Sequence, residues 1–332
     1  MTDRAALADR FIASTDWADA ARGPLAGDAS NRKYERMVMN AASAVFMDAP
    51  PDKGEDVRPF VRIARYLRDL GLSAPDILAE DAEHGFLILE DLGDDLFARV
   101  IPKSPTIEDT LYRAATNALI HLHAAPPPAL ETYDAARMSD LAALAFHKYQ
   151  TGALGVAASP EAAAFTRRFE DCLLQHVRGA LVLIQRDYHA ENLLWLPERD
   201  GVARVGLLDF QDAMLGHPAY DLVSLLQDVR REVSASVEAA MITHYIAQTG
   251  QDNHAFRTAY AVLGAQRNLR ILGVFARLAT EYGKPHYVDL IPAVWAHVMR
   301  DLEHPALAGI SDLVHGALPE PTAQVLDRLK SK

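Results

Sequence analysis

"IQRDYHAENLLW", residues 184–195, places Arg186, Asp187, His189, Glu191 and Asn192 between apolar neighbours on both sides. A surface loop needs no apolar flanks of this kind. A core strand does not take a carboxylate at its centre, because an unpaired charge out of water is costly. The stretch therefore reads as a working loop held between short buried segments. Asp187 and Asn192 are five apart, and Asp209 lies 17 beyond Asn192, after the apolar run "VGLL". Phosphoryl transfer from a nucleotide needs a carboxylate to orient the acceptor hydroxyl and take its proton. It also needs magnesium, which takes hard oxygen ligands. A side-chain amide and a carboxylate can hold that metal without overcharging the site. The order D-x4-N, strand, turn, strand, Asp is expected to bring the three groups to one end of a hairpin.

The bulk numbers narrow the partners. A chain of 332 residues usually divides into two domains or lobes. Half the residues are hydrophobic and 23% are charged, the balance of a soluble globular protein. The net charge of −12 and the pI near 5.5 argue against a nucleic-acid partner, which requires a basic footprint. Cys172 is the single cysteine, so no internal disulfide can form and a reducing compartment is expected. The opening "MTDRAALADRFIAS" lacks the apolar core of a signal peptide, and no run approaches 18 apolar residues. These features predict a cytoplasmic protein with no membrane partner.

Residues 4–13 have helical spacing, with Leu7 and Phe11 four apart. "YERMVMN" and "SAVFMDA" are short segments of strand formers that read as a hairpin around Asn40. Residues 55–70 form an amphipathic helix, with Phe60, Ile63 and Leu67 on one face and Arg58, Arg62 and Arg65 on another; Gly71 ends it. "DILAE" and "GFLILED" read as two further strands. Beyond "LGDD" the pattern is helical over about 107–124, 138–150, 160–179, 219–231, 234–249, 253–280, 287–302 and 306–316. Only 181–212 interrupts it, with "LVLI", "NLLWL" and "VARVGLLDF" as short strands. The expected division is a β-rich lobe over 1–92, a hinge near 90–95 and an α-rich lobe over 93–332.

"RDYHAEN", "LLDFQDA" and "GHPAYDLVSLL" together resemble the catalytic, metal-binding and bracing segments of the kinase-like aminoglycoside phosphotransferase superfamily. The resemblance implies an α+β, bilobal protein-kinase-like fold with a small antiparallel-sheet N-lobe and a larger, mainly helical C-lobe. It implies Asp187 as catalytic base, Asn192 and Asp209 as ligands of Mg2+, and Asp221 bracing the loop through backbone N–H groups. His189 is expected to stabilise the same loop. A narrower resemblance runs from about residue 22 to 300 and is carried by "LAGDASNRKYER", "MDAPPDKGEDVRPF", "GFLILEDLGD" and "QRNLRILGVFARLATEYGKPHY". These segments are similar to the bacterial N-acetylmuramate/N-acetylglucosamine anomeric kinases. That family uses ATP to phosphorylate the C1 hydroxyl of amino sugars in cell-wall recycling.

One departure stands out. Protein kinases carry a lysine on the third strand that holds the nucleotide phosphates. "SAVFMDA" has none, and Asp48 sits about where a cation is expected. Either the chain is a pseudokinase, or phosphate binding has moved to Arg32 or Lys33 in the turn "GDASNRKY". The retained Asp187, Asn192 and Asp209 favour the second reading, and Asp48 is then expected to pair with an arginine of the 55–70 helix. The nucleotide set is accordingly Asp28, Ser30, Asn31, Arg32 and Lys33, with the linker from Glu90 to Leu92 for the base. Glu191, Arg267 and Arg270 are the acceptor candidates. Arg267, Arg270 and Arg277 share a broad helix face that either meets the carboxylate of N-acetylmuramate or makes structural ion pairs. A cationic aminoglycoside would need several acids instead, and Asp212 and Glu191 keep that case open, as they do a choline or homoserine acceptor. His121 and His123 end a helix without a metal-ligand pattern, so no zinc site is expected.

Overall fold

The computed structural model describes residues 4–25 and 31–331, so Asp28 and Ser30 of the expected nucleotide set lie outside the described residues. The chain begins with α1 (Arg4–Ala13), β1 (Ala21–Leu25), β2 (Lys33–Met39), β3 (Ala42–Asp48), α2 (Arg58–Asp69), β4 (Ile77–Asp81) and β5 (Phe86–Glu90). Next come α3 (Phe97–Lys103), α4 (Glu108–Ala124), α5 (Ala135–Ala142), α6 (Thr151–Leu154) and α7 (Ala162–His176). Four short strands follow: β6 (Val182–Ile184), β7 (Leu193–Trp195), β8 (Val205–Leu207) and β9 (Met214–Gly216). The remainder is helical: α8 (Ala219–Leu226), α9 (Ala235–Thr249), α10 (Asn253–Tyr282), α11 (Ile291–Leu302), α12 (Ala308–Ala317) and α13 (Ala323–Lys330). Two compact units result. The first runs to Ala125 and takes in Ala190–Ala213; the second holds Pro126–His189 and everything from Met214. The composition boundary at 92/93 falls inside the first unit.

In the first unit an antiparallel sheet has the order β1-β2-β3-β5-β4. The expected hairpin is β2–β3, and Asn40 makes its turn at φ 57°, a conformation asparagine tolerates. Alternation puts Met37, Ala44, Phe46, Phe86 and Ile88 on one face, where Ala8 and Ile12 of α1 cover them. The strand β1 was not legible, since "ARGPL" contains Gly23 and Pro24; its edge position explains why the sheet tolerates a proline there. Period two also assigns Asp48 to the α1-covered face, together with Phe46. Its partner is accordingly Arg4 of α1, whose guanidinium lies 2.7 Å from Asp48 Oδ1 through Nε and 4.5 Å above the Phe86 ring. The expected pairing of Asp48 with an arginine of α2 is therefore corrected. Arg65 bridges Glu80 at 2.8 Å, and Arg58 bridges Asp56 at 3.2 Å.

The β7–β8 hairpin belongs to this unit. It is tied on by Leu207 N–H donating to the Ser73 carbonyl at 2.9 Å and Trp195 N–H to the Asp95 carbonyl at 2.8 Å. Phe60 of α2 stacks on Phe210, just beyond β8, with ring centroids 4.8 Å apart.

The second unit is built around α10, which runs for 30 residues and buries apolar side chains on most of its circumference. Its N-cap is Asp252, which accepts from Ala255 N–H at 2.8 Å, and Gly283 ends it at φ 65°. Gly273 lets the segment before residues 145–150 approach. A Cβ there would lie 2.2 Å from the Leu144 carbonyl carbon, so the two backbones meet where no side chain fits. The pattern read as one helix over 138–150 is broken into α5 and a wider π turn at Ala145–Gln150. Among the described residues, no helix is long and apolar enough to cross a membrane.

Candidate active site

Asn192 stands immediately before β7 and Asp209 just after β8, so the hairpin register (Leu193 opposite Leu207) brings both to its open end. Leu208 N–H donates to the Asn192 carbonyl at 3.0 Å and closes that end. The hairpin is tightly packed at Gly206, where a Cβ would sit 3.1 Å from Leu194 Cβ and 3.3 Å from Leu92 Cδ1. The Asn192 amide donates to Asp209 Oδ2 at 3.4 Å, and Gln211 Nε2 donates to Asp209 Oδ1 at 2.7 Å. Asp209 has φ 56°, the left-handed region that aspartate enters more readily than most residues with a Cβ. An amide and a carboxylate side by side form a hard-oxygen pair, the donor chemistry that suits a small divalent cation. Among the described residues, no three His, Cys, Asp or Glu side chains gather into a metal cage. Asn192 and Asp209 are the residues that could hold such a cation.

The described residues named for the nucleotide, Asn31, Arg32, Lys33, Glu90 and Leu92, lie in the same unit. Asn31 donates through its backbone N–H to Glu55 Oε1 at 3.2 Å and through its amide to the Lys53 carbonyl at 3.2 Å. Arg32 is bridged to Glu55 at 2.8 Å, while Lys33, the first residue of β2, is exposed. The Glu90 N–H donates to the Asp76 carbonyl at 2.8 Å. The Glu90 carboxylate is gripped by Arg199 at 2.5 Å and Arg68 at 3.4 Å, so it ties the end of β5 to the loop beyond β7. Sequence reasoning missed Arg199, and it also missed Arg36. Arg36 reaches Asp91 through Nε at 2.7 Å and Asp94 through Nη1 at 2.8 Å, fastening β2 to the linker. Glu191 is exposed.

Asp187 lies in the second unit, on the loop after β6. Its backbone is set by Asp221, fully buried in the first turn of α8. Asp221 Oδ2 accepts from Gln185 N–H at 2.6 Å and Oδ1 from Arg186 N–H at 2.8 Å. Arg186 is held at φ 73°, an uncommon conformation for a residue with a Cβ. Strain of about 1–3 kcal/mol persists only where the surroundings over-determine it. Here the two bonds to Asp221 do so, and the Arg186 guanidinium lies 5.5 Å over the Tyr133 ring. Burial opposes ionisation of both carboxyls. For Asp221 it wins, pushing the pKa up to about 7 despite the two N–H donors and the charge of Arg267. For Asp187 the positive charges of Arg267 and Arg270, with a smaller contribution from Arg186, outweigh it, and the pKa lies below the ordinary carboxylate value.

Arg267 Nη1 is 3.7 Å from Asp187 Oδ1, and Nη2 donates to Ser224 Oγ at 2.7 Å. Arg270 is set among the hydroxyls of Tyr133 and Tyr220, whose rings meet edge to face at 5.1 Å. His189 is buried, and burial together with the charges of Arg230 and Arg267 pushes its pKa down to about 3, so its ring is neutral at physiological pH. The chain passes from this unit to the other between His189 and Ala190, and residues 188–191 join Asp187 to Asn192.

His217 opens the bracing helix. Its Nδ1 accepts from Ala219 N–H at 3.2 Å, and burial pushes its pKa down to about 4 from 6.5. The unfolded chain takes up this proton near pH 6.5, the folded chain only near 4. Stability present above pH 6.5 is therefore lost as the pH falls toward 4. His217→Asn keeps an acceptor for Ala219 and removes the titration. Denaturant unfolding between pH 6.5 and 4 is expected to show a shallower loss of stability in the variant. Equal slopes would contradict this assignment.

Comparison with known proteins places these residues in a family. Residues 22–259 match the phosphotransferase enzyme family, APH. The chain is 41% identical to the N-acetylmuramate/N-acetylglucosamine kinase of Caulobacter vibrioides, with 92% of this chain and 94% of that protein covered. Choline kinase LicA from Streptococcus pneumoniae superimposes with a TM-score of 0.58 at 15% identity, over 92% of this chain and 99% of that one. Macrolide 2'-phosphotransferase MphH from Brachybacterium faecium gives 0.57 at 17% identity, over 87% and 96%. At these identities the two structures speak to the fold alone, and that fold is the protein-kinase-like one. With the match covering both the sheet and the loop that carries Asp187, the chain belongs to the phosphotransferase enzyme family.

Proposed function

We propose that the protein is an ATP-dependent kinase that phosphorylates the anomeric C1 hydroxyl of N-acetylmuramate or N-acetylglucosamine. The observation that carries the reading is the pairing of Asn192 with Asp209 at the hairpin end, in a chain that also presents Asp187 on a braced loop. The 41% identity to an enzyme of that name supports the acceptor. Asp187 orients the acceptor hydroxyl and takes its proton as the γ-phosphoryl passes across in line. A carboxylate of lowered pKa is a weak base, so orientation is the larger part of its work. Asn192 and Asp209 would hold Mg2+, which would supply charge neutralisation to the phosphates when bound. Lys33 is the exposed cation of the expected phosphate set, since Arg32 is bridged to Glu55. Arg270 and its tyrosine neighbours offer the acceptor a positive wall suited to a carboxylate. The reaction places the enzyme in the recycling of cell-wall amino sugars, in the cytoplasm.

An acceptor panel tests the substrate class. Initial rates with magnesium-ATP are expected to be highest with N-acetylmuramate and N-acetylglucosamine, and at background with choline, homoserine and aminoglycosides. A preference for any of the last three, or binding of ATP without turnover of any acceptor, would contradict the proposal.

A further inference from the structure

We infer that Arg267 is a positioning residue for phosphoryl transfer: it fixes the direction of the Asp187 carboxylate and is itself anchored by Ser224. This rests on the reading of Asp187 as the base. Arg267 is only 5% exposed, and one face of its guanidinium is committed, with Nη2 donating to Ser224 Oγ at 2.7 Å. Its Nε is buried with no hydrogen-bond partner. A cation so placed requires an opposing charge, because a neutral hydroxyl does not offset its loss of water. The Asp187 carboxylate stands in ion-pair range, Nη1 to Oδ1 at 3.7 Å. That separation exceeds a normal hydrogen bond, so Arg267 supplies charge and direction without drawing on a carboxylate lone pair.

The anchor shares a helix face with the brace. Asp221 and Ser224 are three apart on α8 and both are fully buried. One turn of α8 therefore controls the catalytic loop twice. Asp221 holds its backbone through Gln185 and Arg186, and Ser224 holds the guanidinium that faces its carboxylate. A group meant to grip the acceptor would present its charge to the ligand, whereas Arg267 is turned inward. The Asp187 side chain is the accessible member, at 34% exposed against 6% for Arg267. Arginine suits this task because its planar fork sends two nitrogens to two partners, which the single nitrogen of lysine cannot do.

The test uses the full chain and four variants, Arg267→Met, Arg267→Lys, Asp187→Asn and the double variant Asp187→Asn/Arg267→Met, assayed with magnesium-ATP and N-acetylmuramate. Arg267→Met is expected to lower kcat about 10- to 100-fold, the cost of losing an orienting partner, with both KM values within about threefold of wild type. Arg267→Lys is expected to recover part of the loss. In the Asp187→Asn background, Arg267→Met should have no further effect on kcat, because the two act as a unit. Should Arg267→Met fail to fold, Ser224→Ala removes the anchor alone. Its smaller kcat loss is likewise expected to vanish in the Asp187→Asn background. A raised acceptor KM at unchanged kcat would overturn the inference and make Arg267 an acceptor ligand. Losses that multiply in the double variant would overturn it too. Asp187→Asn at wild-type turnover would instead remove the base reading, and the positioning role with it; an inactive Asp187→Asn beside a fully active Arg267→Met would remove the positioning role alone.

Discussion

Asp187→Ala is expected to lower kcat by about 10²- to 10⁴-fold, the range for losing a positioned acid–base group. The nucleotide dissociation constant is expected to remain within about threefold of wild type. The two readouts separate because Asp187 belongs to a loop set of its own, facing Arg267 and following the backbone that Asp221 holds. Its removal deletes the group proposed to orient the acceptor and leaves the Asn192–Asp209 hydrogen bond in place. It also leaves two buried arginines, Arg267 and Arg270, without a carboxylate they neutralise, so some loss of thermal stability accompanies the loss of rate. Asp187→Asn keeps the shape and separates that cost from the chemical one. Turnover by either variant near the wild-type level would show that another group handles the hydroxyl.

Asp209→Ala is expected to have an effect of the same order, and its signature lies in nucleotide binding. Calorimetric titration of ATP with and without magnesium is expected to show a clear magnesium dependence in the wild type and little in the variant. A metal ion supplies several kcal/mol of charge stabilisation to a phosphoryl transition state, and every 1.36 kcal/mol is tenfold in rate. A fall in kcat on the order of 10³-fold or more is therefore expected. Removing Asp209 also leaves Gln211 Nε2 and the Asn192 amide without their acceptor, so the hairpin end loosens as the ligand is lost. Unchanged magnesium dependence in Asp209→Ala would mean that the cation is held elsewhere.

The parts of the molecule legible in the sequence are those set by local pattern. The β2–β3 hairpin announced itself through strand formers around Asn40, and α2 through its apolar stripe ending at Gly71. Asp187, Asn192 and Asp209 were singled out as polar residues at intervals among apolar ones, and Asp221 through the family resemblance that "GHPAYDLVSLL" carries. The short strand β9 was missed because "MLG" is too short to show a period, and β1 because Gly23 and Pro24 mask an edge strand. The Asp48 partner was misread although the rule was at hand: with a period of two, Asp48 follows Phe46 onto the face under α1. Other links left no local trace. Arg267 and Ser224 are 43 residues apart, and Arg199 and Glu90 are 109 apart, so only the folded chain brings them together. The sequence marked Arg267 as a cation on a buried helix; its burial turns it from an acceptor candidate toward a support for Asp187.

The central claim is that Asp187 activates a sugar hydroxyl toward the γ-phosphate of ATP while Asn192 and Asp209 carry the metal. Its most direct test is the position of the phosphate in the product, read by ³¹P and ¹H NMR after incubation of the enzyme with magnesium-ATP and N-acetylmuramate. The expected spectrum shows the new phosphorus coupled to the proton on C1, with ADP formed in equal amount. Phosphorus coupled to any other ring position, or ADP formed with no sugar phosphate, would contradict the account.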